Sequence, residues 1–216
     1  MTNISGGDVK GPLFIVFEGI DGSGKSSLAR MAAESLERLG ANVEFLAEPT
    51  RGPKGLRVRE FLSSPIPPDP DVLMELFVED REEDVRMNIR PALDSDKIVV
   101  MDRYYHSNAA YQGASGLSYR RILKVNRERG FPAPDRVYLL DCEPSLSMER
   151  IGFRNKETGT VPDSFERAGF LAQVRSLYLE MKDDSFRVLS ASRDLAENLD
   201  IVLGDLKVSF FGADKA

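Results

Sequence analysis

Five short apolar runs are separated by longer segments of helical period: "LFIVF" (13–17), "NVEFLA" (42–47), "KIVVMD" (97–102), "RVYLLD" (136–141) and "FRVLS" (186–190). They are dense in Val, Ile, Leu and Phe rather than strictly alternating, which predicts strands of a parallel sheet buried on both faces. Between them, "KSSLARMAAESLERLG" (25–40) sets Leu28, Met31, Ala32, Leu36 and Leu39 on one helical face and stops at Gly40. The segment 69–93 carries Leu73, Leu76, Phe77, Val85 and Ile89 at helical spacing until Pro91 disturbs it, predicting a long helix kinked late. Segments 118–130, 145–153, 163–182 and 194–206 predict further helices, and the polar run "RNKETGTVP" (154–162) predicts a mobile loop. The expected fold is therefore α/β, a three-layer α/β/α arrangement with a five-stranded parallel sheet flanked by helices.

There is no internal repeat, and the Pro-rich "SSPIPPDPD" (63–71), which joins two helices, is too short for a domain linker. With 216 residues and 42% apolar content the chain suits one sizeable core, so residues 1–216 are expected to form a single domain with 1–10 as a frayed extension. The net charge of -6 leaves no basic excess for nucleic acid. A single cysteine, Cys142, and a single histidine, His106, exclude an internal disulfide and a zinc cluster and suit a reducing cytoplasm. No apolar run is long enough to span a membrane, and the first ten residues lack the apolar core of a secretion signal.

Chemistry enters at "FEGIDGSGKSS" (17–27), where Gly19 through Gly24, Lys25 and Ser26 fit the phosphate-binding pattern G-x-x-x-x-G-K-[ST] between a strand and a helix. Backbone amides around Gly19, Gly22, Ser23 and Gly24, with Ser26 and Ser27 at the helix start, would surround a phosphate chain. Lys25 would reach its terminal groups and Ser26 would offer a hydroxyl to Mg2+. By itself this loop serves a GTPase, an ATPase or a small-molecule kinase. The guanine-reading N-K-x-D pattern is not met, because "RNKET" has Thr158 at the carboxylate position. At the end of the third run, Asp102 and Arg103 fall on the carboxyl edge of the sheet, where Asp102 suits Mg2+ and Arg103 an acceptor phosphate; a plain surface ion pair is the other reading.

The stretches "FEGIDGSGKSS", "AEPTR", "LFVEDREEDV", "MDRYYHSNAAYQG", "PDRVYLLDCEPSLSMER" and "SFERAGFLAQVRSLYLEM" occur in the order seen in thymidylate kinases, and the chain resembles that family along nearly its whole length. The resemblance implies transfer of a phosphoryl group from ATP to dTMP, with Mg2+, in a homodimer. It implies that Phe77 stacks on thymine, Arg81 bonds O4, Asn108 reads N3 and Tyr111 packs under the deoxyribose. It also implies that Arg51 and Arg103 hold the dTMP phosphate, with Asp21 beside the attacking group, and that Arg193 lies against the adenine of ATP. Since this P-loop has no arginine, a lid spanning approximately 151–163 would supply one, with Arg154 as the candidate and Arg150 and Lys156 beside it. Two departures stand out: Ser164 replaces an arginine common after the lid, and Asp84 stands where many relatives carry histidine. Rival readings are a kinase for another deoxynucleotide or a nucleotide-binding regulator that has lost turnover.

Overall fold

A computed structural model of the chain describes residues 11–64, 69–158 and 167–211. The strands are β1 (Leu13–Glu18), β2 (Val43–Ala47), β3 (Ile98–Asp102), β4 (Arg136–Asp141) and β5 (Phe186–Ser190). They pair in parallel, as the apolar runs predict, and stand in the order β2-β3-β1-β4-β5. Helices are α1 (Lys25–Arg38), α2 (Pro53–Leu62), α3 (Pro70–Asp84), α4 (Arg90–Asp94), α5 (Tyr105–Ala114), α6 (Tyr119–Glu128), α7 (Pro144–Thr158), α8 (Ala168–Glu180) and α9 (Leu195–Leu206).

Successive residues of β1 feed opposite faces of the sheet: Phe14 and Val16 join a core with α3, α5, α6 and α8, while Leu13, Ile15 and Phe17 join one with α1 and α9. Double-sided burial holds for β1 and most of β3 and β4. The edge strands depart from it, β2 being mostly half-buried and β5 exposing Arg187 and Val188, because an edge lacks a neighbour on one side.

The long helix changes pitch earlier than its proline. Val85–Ile89 is π-helical and the Arg90 N–H reaches back to the Val85 carbonyl, so the distortion starts a turn ahead of Pro91. Pro91 lacks the N–H owed to residue 87 and its ring crowds that carbonyl, which a widened turn relieves. Helix α3 also begins inside the Pro-rich stretch, since Asp69 caps it by accepting from the Asp71 and Val72 N–H groups and Pro70 suits the first turn. Helix α7 runs on to Thr158, so residues 154–158 are helical rather than loop, in keeping with the helix-forming types at Arg154, Lys156 and Glu157. Residues 159–166, with the rest of the expected lid and Ser164, lie outside the described residues, as do 1–10.

The chain crosses from one side of β1 to the other between β3 and β4, which places β1 at the switch point of the sheet. Phe17 pairs with Asp102, so the loops after β1 and β3 emerge side by side at the carboxyl edge.

Candidate active site

The loop after β1 wraps closely against its neighbours. A Cβ on Gly22 would stand 2.7 Å from the Ser147 carbonyl oxygen, at a φ of 74° that side chains resist. Gly24 caps α1 in the left-handed region, and the first turn of α1 carries no acidic side chain, so its N–H groups and positive dipole end are open to an anion. Ser26 and Ser27 are exposed there, whereas Lys25 is buried with 5% exposure. Burial and then Arg103 push the Lys25 pKa down, with Asp21, Asp102 and Glu18 opposing. Helix α7 clamps the loop from above: the Ser147 hydroxyl donates to the Asp21 carbonyl at 2.6 Å, and Arg150 donates to the carbonyls of Gly22 (3.3 Å), Ser23 (3.2 Å) and Ala191 (3.0 Å).

After β3 the backbone turns sharply, with Arg103 at a φ of 69°. The buried Glu18 carboxylate fixes the turn by accepting from the Tyr104 N–H, the Ser107 N–H and hydroxyl, and the Tyr178 hydroxyl. Arg103 is thereby aimed at Asp21, donating to it at 2.5 Å and to the Ser107 hydroxyl at 2.9 Å. Asp21 also accepts from the Tyr111 hydroxyl at 2.8 Å and lies 3.7 Å from the Lys25 ammonium. Burial alone would raise the Asp21 pKa; Arg103 and Lys25 overcome it and hold the carboxyl well below the usual range.

Beyond Asp21 opens a cavity of about 260 Å³, lined among others by Phe77, Arg81, Arg103, Asn108, Tyr111 and Gln112. This is the small end of the range for ligand sites. At its floor, buried Arg81 donates from Nε to Glu48 at 3.1 Å, from Nη2 to the same carboxylate, and from Nη1 to Asn126 Oδ1 at 2.8 Å. Asn108 Nδ2 donates to Gln112 at 2.6 Å, while its Oδ1 is buried without a partner among the described residues. Burial raises the Glu48 pKa, and the Arg81 guanidinium opposes that rise.

A P-loop lysine, an aspartate–arginine pair and a small cavity with one donor and one acceptor at its floor form a site for two anionic ligands placed end to end. The family model for thymidylate kinase matches residues 17–200. A thymidylate kinase of Leptospira interrogans is 41% identical over 92% of this chain and 97% of the relative. A probable thymidylate kinase of Archaeoglobus fulgidus is 42% identical over 86% and 90%, and a thymidylate kinase of Xanthomonas campestris 39% identical over 85% and 78%.

This chain belongs to the thymidylate kinase family.

As a thymidylate kinase family member it brings Asp21, Phe77, Arg81, Arg103, Asn108 and Tyr111 together around one cavity. Arg51 is elsewhere: it is exposed and lines a neighbouring cleft of about 660 Å³. Arg59 lines both spaces and donates to the carbonyls of Pro49 and Thr50. Arg51 precedes Gly52 and the start of α2, whereas Arg59, within α2, lines the acceptor cavity. Arg193 follows β5 close to the P-loop, but its guanidinium runs along α9 to Glu197 (3.8 Å) and Asn198 (3.4 Å). Arg154 is exposed on α7.

For the Mg2+ that the family uses, the described residues contain no group of three or more His, Cys, Asp or Glu able to hold a metal. They do offer Asp102, whose Oδ1 is buried without a partner among the described residues, and the exposed Ser26 hydroxyl. One carboxylate and one hydroxyl fit a cation that keeps water and takes phosphate oxygens. No helix of the described residues is long and apolar enough to cross a membrane. His106 is buried against Phe186 and Tyr105, its pKa pushed down to about 3 by burial, and Cys142 is buried just after β4, so both are structural.

Sequence reasoning missed Glu48, Arg59, Gln112 and Asn126. Gln112 had a signal, being one helical turn from Asn108, and Asn126 had another, an amide one turn after Ile122 on the apolar stripe of α6. Glu48 had none, since its pairing with Arg81 joins positions 33 apart.

Proposed function

We propose that the protein transfers the terminal phosphoryl group of ATP to dTMP, giving ADP and dTDP. One observation carries the choice of base: the cavity floor pairs the Arg81 guanidinium, a donor, with the unpartnered Asn108 Oδ1, an acceptor. Thymine offers the complement, an acceptor at O4 and a proton at N3. Cytosine presents an amine and a bare nitrogen instead, leaving buried groups unpaired at about 1 to 3 kcal/mol each. Phe77 covers the ring, and Tyr111, fixed through Asp21, fills the space a 2'-hydroxyl would need.

At the other end, Lys25 and the amides of the P-loop hold the ATP phosphates, and Arg103, with Arg59 rather than Arg51, holds the phosphate of dTMP. Mg2+, held by Ser26 and by Asp102 through water, would neutralise charge on the ATP phosphates. A dTMP phosphate oxygen forms the new bond to the terminal phosphorus of ATP as the bond to the ADP oxygen breaks. The protein contributes alignment and positive charge rather than covalent help. Arg154 and Arg150 on α7 are the cations available to close over the donor, and the 191–193 segment with Arg193 borders the adenine. The chain works as a single kinase unit, as a homodimer, in the cytoplasm; light scattering checks the dimer.

The test is ADP release with Mg2+-ATP and dTMP, dUMP, dCMP, dGMP or thymidine offered separately. A preference for dTMP that disappears in Arg103→Ala is expected. Equal or better use of dCMP would sink the base reading, and ATP binding with no transfer would sink the activity.

A further inference from the structure

Arg81 lines the acceptor cavity, yet part of what holds it comes from a helix that lines no part of that cavity. Asn126, on α6, is 1% exposed; its Oδ1 accepts from Arg81 Nη1 at 2.8 Å and its Nδ2 donates to the Ile122 carbonyl at 2.7 Å. A buried amide on an otherwise apolar stripe is costly unless both its ends are satisfied, and here both are. The guanidinium has five N–H donors. Glu48 takes two and Asn126 takes one, leaving two for a ligand.

The plane of the guanidinium is set as well as its charge. The Tyr104 ring lies 5.2 Å beneath it and blocks tilting. The Glu48 carboxylate fixes one edge, from just beyond edge strand β2, where the Glu48 N–H donates to the Asp102 carbonyl at 3.1 Å. Asn126 supplies the third point from a helix anchored in the core by Ile122.

We propose that Asn126 is a positioning residue for base selection: by locking Arg81 against Glu48 it aims the two remaining donors at position 4 of the pyrimidine and enforces a carbonyl there over an amine. It touches no substrate and acts only through Arg81. The inference rests on the acceptor reading given above.

The experiment measures KM and kcat with dTMP and dCMP, KM for ATP, and thermal melting, for the parent and for Asn126→Leu, Asn126→Ser and Asn126→Asp. Leu and Ser remove the acceptor within reach of Arg81; Asp retains one. In the Leu and Ser variants the KM for dTMP should rise about tenfold and the dTMP-over-dCMP ratio of kcat/KM fall about tenfold, the equivalent of one buried charged hydrogen bond. The KM for ATP should stay within about twofold, and Asp should restore both acceptor readouts to within about threefold of the parent. Should the Leu variant not fold, the Ser and Asp pair carries the same comparison. An unchanged dTMP-over-dCMP ratio in a folded Leu or Ser variant overturns the proposal. So does a loss that follows melting temperature and strikes ATP and dTMP alike, because a purely structural amide would behave that way. A parent that prefers another nucleotide overturns the dTMP reading instead, and its own preference ratio then judges Asn126 by the same rule.

Discussion

Around the acceptor cavity Glu48 and Asn126 are buried and both accept from buried Arg81, whereas at the donor end Ser26 and Ser27 on α1 and Arg150 and Arg154 on α7 stand exposed. The acceptor end is made from side chains fixed in advance; the donor end is made from peptide N–H groups, one buried lysine and cations on a helix rim. The difference follows from what each end must recognise. A base differs from its rivals by one donor or acceptor, and only a desolvated, pre-aimed partner converts that into kcal/mol. A phosphate chain is recognised by charge, for which many N–H groups and mobile cations suffice.

This contrast can be broken most forcefully at its two buried cations. Lys25→Ala should lower kcat by about 10³-fold while leaving dTMP affinity within about twofold, since it removes charge from the donor side alone. Arg81→Met should instead weaken dTMP binding about 100-fold and also lower stability by about 3 to 5 kcal/mol, because Glu48 is left buried and unpaired. Adding Glu48→Gln should recover most of that stability and none of the binding, read by melting and by isothermal titration. A lysine variant as unstable as the arginine variant would erase the distinction.

A smaller effect separates two arginines that look equivalent along the chain. Arg59→Ala should raise the KM for dTMP about 30-fold and Arg51→Ala no more than about threefold, since only Arg59 lines the acceptor cavity. On the donor side, Arg154→Ala should cost about tenfold in kcat with melting and dTMP affinity unchanged, as expected of an exposed cation recruited during transfer.

The smallest effect sharpens the stability side of the comparison. Asp84 has its pKa pushed up from 3.8 to about 6 by burial and by Asp80. The native state therefore keeps a proton that the unfolded chain releases. The stability this gives is full below about pH 4 and is lost as pH rises through about 6. Asp84→Asn should be neutral at pH 4 and stabilising by about 1 to 3 kcal/mol at pH 7.5, measured by urea unfolding.

Legibility differed in the same way between the two ends. The P-loop was readable because its residues are contiguous, and its strand and helix context is local. That Phe77, Arg81, Asn108 and Tyr111 belong together was legible only through the family resemblance, with which their helical spacing agrees; all four line one cavity. That Arg51 lies outside the cavity could not be read along the chain, because a loop, Gly52 and the start of α2 decide which arginine faces it. The segment 154–158 misled because polarity was taken for a loop where the backbone stays helical.

The five strands, the parallel sheet, most of the helices and the phosphate loop were determined by the sequence alone, because apolar periodicity and short motifs act over a few residues; helix α5 was not read from it, and α2 only as a helix without bounds ahead of the Pro-rich stretch. Only the tertiary structure decided that Arg81 would meet Glu48 on one side and Asn126 on the other, that Arg59 rather than Arg51 would border the cavity, and that Arg103 would pair with Asp21. Those partners come from separate strands and helices. What unites them is the cost of burying a charge, which can be met only once the fold has brought its counterpart within hydrogen-bond reach.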